Sequence, residues 1–214
     1  MALTTYGQLK TAIAAWLNIS ATDVSSQIDD LITIGENRIF REARTRDMET
    51  ALNSAMSNGV IALPSSYVAL KFAYINTSPI VTLERRSAEW LYQNYPLQSS
   101  SGVPIYIARD GTNFVFGPYP DSTYTVKGIY YARLAAVSSS PNALFLANPD
   151  LYLMACLSEC SMLIGQDTRV ALWDAKYRQI LADVNGEDKT EDQSGSSLQM
   201  RVSTMTTMRL SGTR

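Results

Sequence analysis

No histidine occurs in the 214 residues, and only two cysteines do. The first absence removes the commonest general base, proton shuttle and transition-metal ligand together. A Ser-His or Cys-His nucleophile cannot be assembled within this chain. Two cysteines alone cannot complete a four-ligand zinc site. Charge is sparse as well, at 18% of residues, below the usual quarter. A net charge of -2 lacks the basic excess of proteins that grip nucleic acid by counterion release. Long apolar runs are missing. The strongest, Leu151 to Ile164, is interrupted by Ser158, Glu159 and Ser161 and falls short of the ~18 residues of a membrane span. No signal-peptide pattern follows Lys10. These absences lead us to expect a protein made in the cytosol, without a membrane segment, that interacts rather than catalyses.

What is present suffices for a core: 46% of residues are hydrophobic. Residues 4–50 read as helical. Thr4 or Thr5 can cap a first helix with Leu9, Ile13, Trp16 and Leu17 at helical spacing. After a break over 18–23, Ser20 or Thr22 can cap a second. Ile28, Leu31, Ile32, Ile39 and Ala43 line one of its faces, and Gly35 fits the same stripe. These two helices are expected to form a hairpin.

Residues 56–134 change character. Asn58-Gly59 signals a turn. Tyr67 to Asn76 is rich in aromatic and β-branched residues. Asp110-Gly111, between Ile105–Arg109 and Asn113–Phe116, is the best hairpin signal in the chain. Tyr124 to Arg133 alternates, with Tyr124, Val126, Tyr130 and Ala132 on one face. Short strands at this spacing predict an antiparallel sheet or small sandwich, with a short helix inserted over Ser87–Tyr92.

Residues 148–185 read as helical again. One helix starts at Pro149-Asp150. Asp167 can cap the next, whose stripe is Val170, Trp173, Tyr177, Ile180, Leu181 and Val184, and Gly186 is expected to end it. The fold expected is therefore α+β. N-terminal (1–55) and C-terminal (135–186) helical hairpins form one bundle, 56–134 is an antiparallel β insert, and 187–214 is an extended arm. Ile28, Leu31, Ile39, Leu151, Ala155, Trp173 and Tyr177 are the expected core.

The arm has no aromatic residue and cannot build a core. Its alternation is informative. Leu198, Met200, Val202, Met208 and Leu210 share one parity and mostly polar residues the other. Such a segment can add as a strand to a partner's sheet edge, with side-chain pockets giving specificity. A tail with scattered apolar residues is the plainer account.

Arg38, Arg41 and Arg44 fall at i, i+3, i+6 on the second helix, with Arg46 beyond. They can contact an anionic partner. Glu42, Asp47 and Glu49 interleave with them, which favours a solvated, internally paired face at a helix C-terminus. Arg85 and Arg86 are a weaker pair. Cys156 and Cys160, at i, i+4, read as buried small hydrophobes. No metal, cofactor or catalytic residue is assigned. Asp29-Asp30, Glu187-Asp188 and Glu191-Asp192 are adjacent carboxylates. Nothing marks one member of a pair as an acid and the other as a base.

The order of motifs resembles the head–tail adaptor (connector) proteins of tailed bacteriophages, especially short-tailed ones. The segments are LPSSYVALKFAYI (63–75), YP (95–96), GVPIYIARDGTNFVFGPYPDSTYTVKGIYYA (102–132) and PDLYLMACLSECSMLIGQDTRVALWDAKYRQIL (149–181). Within them recur Gly117-Pro118 with Pro120-Asp121, Tyr130-Tyr131-Ala132, Pro149-Asp150-Leu151-Tyr152, and Asp167, Arg169, Trp173 and Tyr177. The resemblance implies a virion structural protein. It implies a ring of twelve copies under the portal that extends the DNA channel and meets the tail nozzle. DNA would pass without tight binding, and the C-terminal arm would reach onto the portal. No catalytic residues carry over. A receptor-binding module and a virion-associated cell-wall hydrolase are the competing classes.

Overall fold

A computed structural model describes residues 3–18, 25–56, 58–96, 101–160 and 168–193. It is a mixed α+β structure, with a helical layer and two four-stranded sheets.

Helix α1 (Tyr6–Leu17) begins at Thr5 with a full capping box. The Thr5 hydroxyl accepts from the Gln8 amide, and Gln8 reaches back to the cap. It ends at Asn18, whose left-handed φ of 56° closes the last turn. The stripe is as expected except for Trp16, which is 49% exposed. Helix α2 (Ser25–Glu42) buries Ile28, Leu31, Ile32 and Ile39. The candidate caps Ser20 and Thr22 lie outside the described residues.

Strand β1 (Glu49–Ala55) lies inside the stretch expected to be helical. Its sequence ETALNSA suits a helix locally. Seven residue pairings with β10 override that preference. The turn at Asn58-Gly59, with φ of 50° and 73°, leads to β2 (Val60–Ala62). Then come β3 (Tyr67–Ile75), β4 (Val81–Thr82), β5 (Glu84–Arg85), helix α3 (Ala88–Asn94) and β6 (Ser101–Gly102). Asp110-Gly111 does close a hairpin, between β7 (Tyr106–Asp110) and β8 (Asn113–Gly117). β9 (Tyr119–Pro120) and β10 (Thr125–Ala132) complete the set, and β10 shows the expected strict alternation of burial.

One sheet has the order β1-β10-β3-β4 and is antiparallel. The other, β2-β8-β7-β5, is mixed, because β5 runs parallel to β7; β6 and β9 also pair in parallel. The expectation of purely antiparallel pairing is corrected there. A strand as short as Glu84–Arg85 shows no alternation from which direction could be read. Leu52, Leu70, Ile75 and Val126 from one sheet share a core with Ile61, Ile107, Phe114 and Phe116 from the other.

The chain then returns to the helical layer through α4 (Ala143–Ala147), a helix absent from the sequence reading. Asn142 caps it by accepting from the Phe145 amide at 2.9 Å. Helix α5 (Pro149–Ser158) is buried on all sides from Leu151 onward. Helix α6 runs from Arg169 to Gln193, so Gly186 does not end it. Gly186 has no left-handed φ, and the Glu187–Gln193 stretch that follows carries good helix formers. The helix thus extends seven residues into the expected arm. Asp167, the expected cap of this helix, lies outside the described residues.

Helices from both ends of the chain share one core, which includes all seven expected residues. Helices α2 and α5 approach closely at Gly35, where an added Cβ would stand 2.9 Å from the Cys156 sulfur. That is why the apolar stripe of α2 carries a glycine.

Candidate partner-binding site

The arginine stripe of α2 divides in two. Arg38 points inward, and its side chain is only 12% exposed. Its Nη1 donates to Ser158 Oγ and Glu159 Oε1, each at 2.9 Å, and Nη2 donates to Asp174 Oδ1 at 2.5 Å. Its Nε stands 3.6 Å from Glu42, and the guanidinium lies 4.4 Å from the centre of the Tyr177 ring. The Tyr177 hydroxyl donates to Glu42 at 2.9 Å, so burial and this carboxylate raise its pKa well above the usual phenol value. Arg38 therefore ties α2 to α5 and α6. Its surroundings are internal carboxylates, with one of the expected acids, Glu42, among them.

Arg41 and Arg44 take a different direction. They line a cleft of about 480 Å³ between α2 and the start of β3. A third guanidinium joins them there, that of Arg133, which follows β10. Arg133 is held in place by a backbone bond to Ser66 O at 2.7 Å, a side-chain bond to Asn37 and the face of Phe40 at 5.2 Å. Arg44 Nη1 donates to the carbonyl of Phe40, in the last turn of α2, and to that of Ala43 just beyond it. Its amide donates to Asn185 Oδ1 of α6 at 2.9 Å. Ser65 and Ser66 supply hydroxyls, and no carboxylate among the described residues lines the cleft. Sequence reasoning missed Arg133. It is a single basic residue just beyond a strand, and only the fold brings it to α2.

Behind the cleft, Glu36 is 4% exposed and accepts from the Val137 amide at 2.7 Å. Burial raises its pKa, against the opposing pull of that amide and of Arg133. Arg86 pairs with Glu84 at 2.6 Å and covers Trp90, while Arg85 lines a smaller hollow beside Arg109. Cys156 and Cys160 are buried free thiols, and burial pushes the Cys156 thiol up. Among the described residues no group of three or more Cys, Asp or Glu is placed to hold a metal, and no helix is long and apolar enough to cross a membrane. Leu198, Met200, Val202, Met208 and Leu210 lie outside the described residues.

The family model of the SU10 adaptor protein matches residues 4–202. The chain belongs to this family, and it is a structural adaptor-type protein of a phage. No curated protein matches it.

Proposed function

We propose that the chain is the head-to-tail adaptor of a short-tailed phage. Twelve copies form a ring beneath the portal, extend the DNA channel and meet the tail nozzle. Membership of the adaptor family, over nearly the whole chain, is the observation that carries this reading. A slightly acidic composition suits a conduit through which DNA passes unheld. Heterologous contacts between identical subunits close into a ring when the rotation permits. The role is structural, without catalysis, and the protein is made in the host cytoplasm before it enters the virion. The alternating residues Leu198, Met200, Val202, Met208 and Leu210 dock on the portal.

Native mass of the purified chain, alone and mixed with portal from the same virus, tests the reading. The expected result is a low-order species that becomes a portal-sized ring complex on mixing. A stable trimer that ignores portal would point to a receptor-binding module instead. Deleting residues 196–214 should preserve the fold and abolish incorporation onto portal. Normal incorporation of that truncation removes the arm from the account.

A further inference from the structure

We infer that the outer surface of α3 in one copy packs on the outer face of the β1-β10-β3-β4 sheet in the next copy. The inference rests on the ring reading above, since a ring sets identical chains side by side.

The two surfaces are opposite ends of one stack. Alternate residues of the first sheet, Leu70, Ile75 and Val126 among them, face the second sheet. The second sheet sends Ala108 and Val115 the other way, where they pack with Leu91 of α3. Trp90 of α3 meets Tyr106 edge-on there, with ring centres 4.9 Å apart. The order is therefore first sheet, second sheet, α3. In a ring of many copies each subunit is turned only slightly relative to the next. Its two lateral surfaces are then different and lie on nearly opposite sides. The two ends of this stack meet that condition.

The end formed by the first sheet is an apolar platform. Strand register sets Ala51, Ile129 and Phe72 in one row and Asn53, Lys127 and Tyr74 in the next, on the face turned away from the core. Phe72 is 47% exposed. Its ring lies within 11° of parallel to that of Tyr74, with centres 6.4 Å apart. The other end presents Tyr92, 49% exposed, with Glu89 one helical turn before it. The Tyr92 hydroxyl donates to Asp110 at 2.7 Å, which holds the ring before any contact is made. An aromatic knob flanked by two exposed carboxylates thus faces outward at one end, and an aromatic platform beside a lysine at the other. Rings meet rings and opposite charges meet when the two ends come together. Pairing either surface with its own copy brings like charges together instead. A second copy, joined head to tail, is the occupant that fits.

The test uses two full chains, one carrying Phe72→Cys and the other Tyr92→Cys with a size tag. They are mixed in equal amounts, assembled with portal and treated with a short bismaleimide. Both positions are about half exposed, so an unchanged melting curve verifies each fold. Cys156 and Cys160 are buried, and the wild-type chain reports any background from them. Dimers containing one chain of each kind are expected. Lys127→Glu should lower the yield of ring about tenfold, and Glu89→Lys added to the same chain should recover part of it. A portal ring without mixed dimers, cross-links confined to like chains, or a ring yield that ignores both charge changes overturns the inference and leaves the ring standing. Where the wild-type chain forms no ring on portal, the same cross-linking of the concentrated chains separates the two readings. Mixed dimers then keep the contact without the ring, and their absence removes both.

Discussion

Helices α2, α5 and α6 meet around an arginine, with a buried glutamate nearby, whereas the two sheets meet around aliphatic side chains and aromatic rings. In the helical layer, Arg38 reaches across 121 and 136 positions of sequence to Glu159 and Asp174. Glu36 fixes the loop after β10 through the Val137 amide. Among the described residues of the sheet strands no charged side chain is fully buried, and position is set by strand register and by tight backbone approach. The difference has a physical source. Helices satisfy their own backbone groups and can slide or rotate, so directional side-chain contacts are needed to select one arrangement. Sheets carry that information in their ladders.

The sharpest way to break the sheet side is Gly128→Val. A Cβ at Gly128 would stand 2.2 Å from Phe72 O and 2.8 Å from Ala73 Cα. Both are backbone atoms of β3, so the strand itself must move. We expect a loss of about 4 kcal/mol or more, enough to prevent folding of a marginal domain. Urea denaturation, or failure to obtain soluble protein, reads it. A melting curve like that of the wild type would show that the two strands separate freely.

The matching break on the helical side is Arg38→Ala. It leaves Glu159 without its cation and Asp174 with only the exposed Arg178 at 2.9 Å, both acids being about three-quarters buried. The expected cost is about 2–4 kcal/mol. Adding Asp174→Asn should recover part of it, because one stranded charge goes too. A double variant that simply sums the two single effects would deny that the residues act as a unit. Gly35→Ala comes next, at about 1–3 kcal/mol. The added methyl meets the Cys156 sulfur at 2.9 Å, and also its amide nitrogen at 3.1 Å. Helix propensity returns up to about 1 kcal/mol, so the net loss is smaller than at Gly128. Cys156→Ala should relieve it, and an unrelieved loss would place the contact elsewhere.

The same contrast explains what the sequence made legible. Local signals were readable: the alternation over Tyr124–Arg133, the Asp110-Gly111 turn, the short helix from Ser87 and the apolar stripes whose seven selected members are all buried. Long-range facts were not. Glu49–Ala55 is a strand only because β10, over seventy positions away, pairs with it. The parallel direction of β5 depends on where β7 lies. The stripe Arg38, Arg41, Arg44 was visible, but its division into an internal tie and a cleft depends on side chains from α5, α6 and the residue after β10. Arg133 carries no local mark of joining Arg41.

The smallest effect sharpens the comparison most, since only the helical layer should show it. Burial raises the pKa of Glu36 above its ordinary value of 4.5. As pH rises from 4.5, the unfolded chain gives up this proton first while the folded chain still holds it. The folded state then binds more protons, so stability falls until the folded group has also ionised. Asp29 works in the opposite sense and in a different range. Its pKa is lowered by bonds from Lys10 and Tyr6, so its contribution is present above 3.8 and lost as pH falls below that. Between pH 4.5 and 7 the slope assigned here to Glu36 is therefore separate from that of Asp29. Glu36→Gln keeps an acceptor for the Val137 amide and removes the titration. The variant should match the wild type near pH 4 and exceed it at pH 7 by no more than about 1 kcal/mol, within the range of one buried hydrogen-bonded group. Urea midpoints at three or four pH values would measure the gap. Parallel curves for the two proteins would mean that Glu36 is already ionised in the fold at pH 4.5, and that the Val137 amide and Arg133 outweigh its burial.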